Sequence, residues 1–162
     1  MFVVADGVNY ETANSYVSVE YADAYHALRD NAAWAAKATP TKQAALVKAT
    51  DYIEQAYGQR FVGTATLGSL LAWPRFVSGV DTLNYIPDAL KKAVCELALE
   101  AMTGPLNPVY TAKQAVKRKR VEGAVDIEYR DDAPTSPLRP AVIGLLSPLL
   151  VLPSLNRPVV RV

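Results

Sequence analysis

Apolar and polar positions follow two different periods along this chain, and the change from one to the other organises it. Tyr21, Ala24, Tyr25 and Leu28 recur at i, i+3, i+4 and i+7, one stripe of a helix. Ser18 is placed to cap that helix, and Glu20 sits at its positive end. A second helix opens at Thr39-Pro40, stops at Gly58, and turns Leu46, Ala49, Ile53, Ala56 and Tyr57 inward. A third opens at Pro87-Asp88 and ends at Gly104-Pro105. Its apolar face, Leu90, Ala93, Val94, Leu97, Ala98 and Ala101, is widened by Leu99 and Met102, so this helix is expected at the centre. Between Gln59 and Tyr85 no helical period survives, and the stretch around Leu71-Ala72-Trp73-Pro74-Arg75 reads as a long ordered loop.

After Pro108 the period becomes two: Val125, Ile127 and Tyr129 alternate with Asp126, Glu128 and Arg130. A two-residue turn at Glu122-Gly123 pairs Val121 with Ala124, Lys119 with Asp126 and Lys117 with Glu128. Asp131 to Pro137 reads as a linker, Pro140 to Leu146 as one or two last helical turns, and Leu149 to Val162, interrupted by Pro153 and Pro158, as an extended arm. The expected fold is therefore mainly α: a small bundle of three to four helices with a projecting two-stranded β-hairpin and an extended C-terminal arm. Residues 1–135 form the helical domain, with the hairpin at about 113–130, and 136–162 a docking segment.

Composition narrows this only a little. With 162 residues, 51% of them hydrophobic, one packed core is expected. A formal net charge of +1 gives no global attraction to nucleic acid or membrane, so any such role must rest on a local cluster. The N-terminal residues lack the pattern of a secretory signal. The longest apolar stretch, Ala141 to Leu155, falls short of the about 20 residues of a spanning helix and contains Pro148 and Pro153, so no membrane partner is expected.

Candidate chemistry is sparse. His26 is the sole histidine and Cys95 the sole cysteine, which offers no metal-ligand set; a structural or exposed histidine and a buried, inert thiol are expected. Asp51 and Glu54 stand three apart without a basic partner at catalytic spacing. There is no phosphate-cradling glycine loop and no nucleophile elbow, so neither enzymatic activity nor a cofactor is expected.

Lys113, Lys117, Arg118, Lys119 and Arg120 make the one dense basic cluster. Such a cluster can neutralise phosphates, or it can pack the hairpin on a neighbouring subunit or an acidic surface, with Glu128 among the contacts and Arg118 and Arg120 on the side of Val125 and Ile127. Few aromatics lie nearby to stack bases, which favours the second use. Trp73 is expected to anchor its loop on the helical core and to leave Arg75 free for a contact between subunits. In the arm, Leu150, Leu152, Leu155, Arg157, Val159 and Val160 either wrap back on the domain or dock on a partner; the partner is the preferred reading.

Several blocks together carry a family resemblance: Ala13-Asn14-Ser15-Tyr16-Val17-Ser18 leading to Ala22-Asp23-Ala24-Tyr25, then Ala49-Thr50-Asp51-Tyr52-Ile53, Leu71-Ala72-Trp73-Pro74-Arg75, Ile86-Pro87 with Glu96-Leu97-Ala98-Leu99, and the strands Lys117 to Val121 and Val125 to Tyr129. In order and spacing, over most of residues 13 to 130, they resemble tailed-phage head–tail connector adaptors, some of which are labelled DnaT-like single-stranded-DNA-binding proteins. The resemblance implies a virion neck protein, assembled in the host cytoplasm. It would form a homo-oligomeric ring, a dodecamer on this expectation, lining the DNA channel beneath the portal protein and joining it to the tail or a second neck protein, with non-specific contact to genomic DNA. The alternative is a single-stranded-DNA-binding protein of a replication or recombination module.

Overall fold

The structure, a computed structural model, describes residues 1–6, 9–77, 85–107, 116–122, 124–129 and 139–151, with only the backbone for the strand residues between 116 and 129. The chain forms two compact units, one from residues 1–106 and 140–162, the other from residues 107–139. Five α-helices are present among the described residues: α1 (Val19–Ala27), α2 (Ala32–Ala35), α3 (Thr39–Tyr57), α4 (Asp88–Ala101) and α5 (Pro140–Leu146). A mainly helical fold with a hairpin is thus what the periodicity announced.

Helix α4 is the centre of the first unit. Leu90, Val94, Cys95, Leu97 and Ala98 are fully buried along it, and α1, α3 and α5 all pack against it. Helix α3 contributes Leu46, Ala49 and Ile53 to the same core. Gly58 does not stop α3 in a left-handed turn; its φ is −50°, and the chain tightens into a 3-10 turn over Gly58–Arg60.

Two helical details depart from the expected pattern. In α1, Ser18 does cap the helix, accepting from the Tyr21 N–H at 3.2 Å. The buried face, however, is Val19, Ala22, Tyr25 and His26, and Leu28 is exposed just past the helix end. The rotation follows from α2, which the periodicity did not reveal. Asn31 caps α2 through the Trp34 N–H, and the buried Trp34 ring lies 4.5 Å from the His26 ring, drawing that face of α1 inward.

The loop after α3 is more regular than expected. Strands β1 (Thr64–Ala65) and β2 (Arg75–Phe76) pair antiparallel, Thr64 with Phe76 and Ala65 with Arg75. Gly63 is required there: its φ is +79°, and a Cβ would stand 2.2 Å from the Phe76 carbonyl oxygen.

The beginning of the expected docking segment belongs to the helical unit. Val142 and Leu146 of α5 are buried, a 3-10 turn over Ser147–Leu149 follows, and Leu150 forms an antiparallel bridge with Phe61. The Val62 N–H donates to the Leu149 carbonyl at 2.9 Å and the Val151 N–H to the Arg60 carbonyl at 2.7 Å. Leu150 is therefore a core residue of its own chain and not a docking residue, because the backbone bonds on either side of it hold it opposite the buried Phe61. Deleting residues 152–162 is expected to leave a folded protein, whereas Leu150→Ala should lower unfolding stability by about 2–3 kcal/mol in urea titration. Equal stability of the Leu150→Ala and wild-type proteins would contradict this placement.

Candidate nucleic-acid interface

The second unit contains the hairpin, β3 (Val116–Glu122) and β4 (Ala124–Tyr129). Its register is displaced by one residue from the expected one. Val121 pairs with Val125, Arg120 with Asp126, Lys119 with Ile127 and Arg118 with Glu128. Opposite charges face each other in either register, but the observed one also sets two β-branched valines opposite each other. A shift between Val116 and Arg118 makes Lys117 the extra residue on β3. The two arginines, expected on the side of Val125 and Ile127, instead hold positions opposite acids, and Lys119 takes the position opposite Ile127. Lys113, Leu152, Leu155, Arg157, Val159 and Val160 lie outside the described residues.

Within the helical unit the Leu71–Arg75 segment is held by a network that the sequence did not disclose. Tyr16 donates to Glu54 Oε1, while Glu54 Oε2 accepts from the Ala72 N–H at 2.9 Å and the Tyr16 hydroxyl oxygen accepts from the Trp73 N–H at 3.1 Å. Trp73 is buried, its ring edge-on to Phe61 at 6.0 Å.

Arg75 is taken up by its own chain. Nε donates to the Val62 carbonyl at 2.9 Å, and the two terminal nitrogens donate to Ala72 at 3.1 Å, Phe61 at 3.2 Å and Gly63 at 2.7 Å. Four carbonyls of two converging loop segments are met by one planar fork of donors, which is why the guanidinium is not left free for a neighbour. Burial, with the Glu54 charge second, raises the Tyr16 pKa; burial also raises that of Glu54 and lowers that of Arg75. The pair Tyr16–Glu54 is thus a structural clasp, not an acid–base couple facing solvent.

A cleft of about 550 Å³ beside α1 and α2 is lined by Asp23, His26, Asp30, Asn31, Trp34 and Lys42, among others. Within it, Asp23 Oδ1 accepts from Trp34 Nε1 at 2.6 Å and Lys42 Nζ at 2.8 Å, while His26 Nε2 is buried without a hydrogen-bond partner among the described residues. Burial lowers the His26 pKa. Burial likewise pushes the Cys95 thiol up to about 12, which makes it a poor nucleophile. Among the described residues no group of three His, Cys, Asp or Glu could hold a metal ion, and no helix is long and apolar enough to cross a membrane.

Aromatic rings paired with cations, sought in the sequence only near the hairpin, occur on the helical unit instead. Lys91 Nζ lies 5.5 Å from the Tyr21 ring centre, the Arg29 guanidinium 3.5 Å above the Tyr25 ring, and the Arg60 guanidinium 5.7 Å from the Tyr57 ring. Tyr85, which precedes α4, is half exposed. The Tyr25–Arg29 and Tyr57–Arg60 pairs stand at i,i+4 and i,i+3, whereas Tyr21 and Lys91 come from different helices, a pairing that linear spacing does not reveal.

A family model described as "Putative DnaT-like ssDNA binding protein" matches residues 1–162. The chain belongs to this family. No curated protein and no solved structure matches it. The DnaT-like description concerns single-stranded DNA, and the chain's two cationic features, the β3 run and the tyrosine–cation pairs, are the positions to weigh against it.

The clasp generates a test of its own. Glu54 is harder to ionise in the folded protein, so its contribution to stability is greatest below the ordinary carboxylate range and is lost as pH rises through its raised value. Denaturation of the wild type across that window should show this loss, and Glu54→Gln should remove that part of the pH dependence. Arg75→Lys, which keeps charge but not the fork, should lower stability by about 2–3 kcal/mol. An Arg75→Lys protein as stable as the wild type would show that the four carbonyls do not need the guanidinium.

Proposed function

We propose that this chain binds single-stranded DNA without catalysing a reaction on it, in a replication or recombination setting. The observation that carries the reading is the family match over the whole chain. Two physical features support it. Lys117, Arg118, Lys119 and Arg120 are consecutive on an extended strand, where a rise of about 3.3 Å per residue spreads cations along a backbone-like path. The Tyr21–Lys91 pair, only partly buried on the helical unit, supplies the combination of ring and charge that tolerates any base.

A second reading is the phage head-to-tail connector: a virion neck protein that forms a ring, with twelve subunits proposed, between portal and tail or a second neck protein. The hairpin register favours it, because Arg118 and Arg120 are positioned opposite Glu128 and Asp126 and the strand charges nearly cancel. An assembly of this kind would be put together in the host cytoplasm and would contact the genome only along its channel.

Salt separates the two. Binding of a labelled oligothymidine should weaken steeply with ionic strength, and replacing Lys117, Arg118, Lys119 and Arg120 by alanine should flatten the log–log slope by about 3, at about 0.7 per phosphate contact. Absence of oligonucleotide binding at low salt, together with salt-tolerant co-sedimentation with a portal ring, would reject the DNA reading and establish the connector.

A further inference from the structure

The loop between β1 and β2 presents large apolar side chains to solvent from an ordered support. Leu67 is 96% exposed, Leu70 67% and Phe76 56%. These are not side chains on a loosely held segment. The Thr66 N–H and hydroxyl both donate to the Pro74 carbonyl, Ser69 closes a turn onto Thr66 and donates its hydroxyl to Leu71, and the Leu70 N–H donates to Tyr10. The base of the loop is gripped by Arg75. A surface ordered in advance gives up little conformational entropy on binding, and apolar side chains held out on it mark a contact site.

The chain itself supplies a segment with matching chemistry. Beyond Val151, residues 152–162 carry Leu152, Leu155, Val159 and Val160, with Arg157 and Arg161 between and after them. The segment starts beside the base of the loop, since the Val151 N–H donates to the Arg60 carbonyl and Leu150 stands opposite Phe61 in an antiparallel bridge. Eleven residues reach at most about 36–40 Å when extended. Direction then distinguishes one copy from another. The pairing is antiparallel, Leu149 beside Val62 and Val151 beside Arg60, so at Val151 the chain heads away from the tip of its own loop. Charge agrees as well: the Glu11 carboxylate comes within 3.7 Å of where a Cβ on Gly68 would stand, at the loop tip, and the segment brings arginines.

We propose that residues 152–162 of one copy dock on the Leu67–Leu70–Phe76 loop of a second copy. Segment and loop are unlike surfaces, so the contact is head-to-tail and repeats, closing into a ring if the rotation permits and otherwise extending as a filament. This goes beyond the DNA-binding reading and does not depend on it.

Full-length chains carrying Leu67→Cys and, separately, Leu155→Cys, made distinguishable in mass, are mixed and mildly oxidised; the native Cys95 is buried and does not compete. The expected product is the mixed disulfide in excess of either homodimer. In parallel, analytical ultracentrifugation of Leu67→Asp/Leu70→Asp, whose substituted positions are exposed, and of the chain lacking residues 152–162 should show self-association weakened about tenfold or more in each. A disulfide that closes only within a chain carrying both cysteines, a wild type that remains monomeric, or self-association unchanged in the aspartate variant and the truncation would each overturn the proposal.

Discussion

The grip of Arg75 on four backbone carbonyls is the constraint on which the arrangement of the first unit depends. Its acceptors lie on two segments, Phe61 to Gly63 and Ala72, that leave and re-enter the helical core. Without a donor, converging carbonyls in a buried place repel one another and remain unsatisfied, a penalty larger than the net gain of an ordinary hydrogen bond. The Tyr16–Glu54 clasp then fastens the same loop to α3 through Ala72 and Trp73. Between them these groups turn an irregular stretch into a fixed part of the fold, set Trp73 against Phe61, and leave Phe61 able to receive Leu150.

What could be read from the linear pattern was the part governed by short-range periodicity. Helix α4 obeys its period because its buried face, Leu90, Ala93, Val94, Cys95, Leu97, Ala98 and Ala101, is wholly apolar, while its polar contacts, Glu96 with Tyr25 and Lys91 with Tyr21, are made by residues outside that set. In α1 the period pointed to Leu28, but the tertiary pairing of His26 with Trp34 prevailed, and Trp34 sits on a four-residue helix too short to leave a periodic trace. The hairpin was legible as a hairpin. Its register was not, because two neighbouring alignments both set cations opposite acids, and the choice falls to the valine pair and the extra residue Lys117.

The candidate site was legible to a lesser degree. The basic run on β3 is visible by inspection, whereas the Tyr21–Lys91 pair depends on α1 meeting α4, a contact with no signature in spacing. Arg75 misled for an instructive reason: next to a tryptophan and a proline in a loop, an arginine resembles a surface hot spot, and only the convergence of carbonyls around it reveals an internal use. The same holds for Leu150, which reads as part of a proline-broken arm until Phe61 is seen to pair with it.

The bridge between Phe61 and Leu150 bears on the order in which the protein takes shape during synthesis. The helical unit is split in sequence, with residues 107–139 inserted between its two parts. A ribosome therefore makes the whole inserted unit before it makes the residues that cover Phe61 and complete the packing on α4. Until then the nascent chain carries an open apolar seam, so the hairpin unit is produced during the interval in which the core is most vulnerable to aggregation.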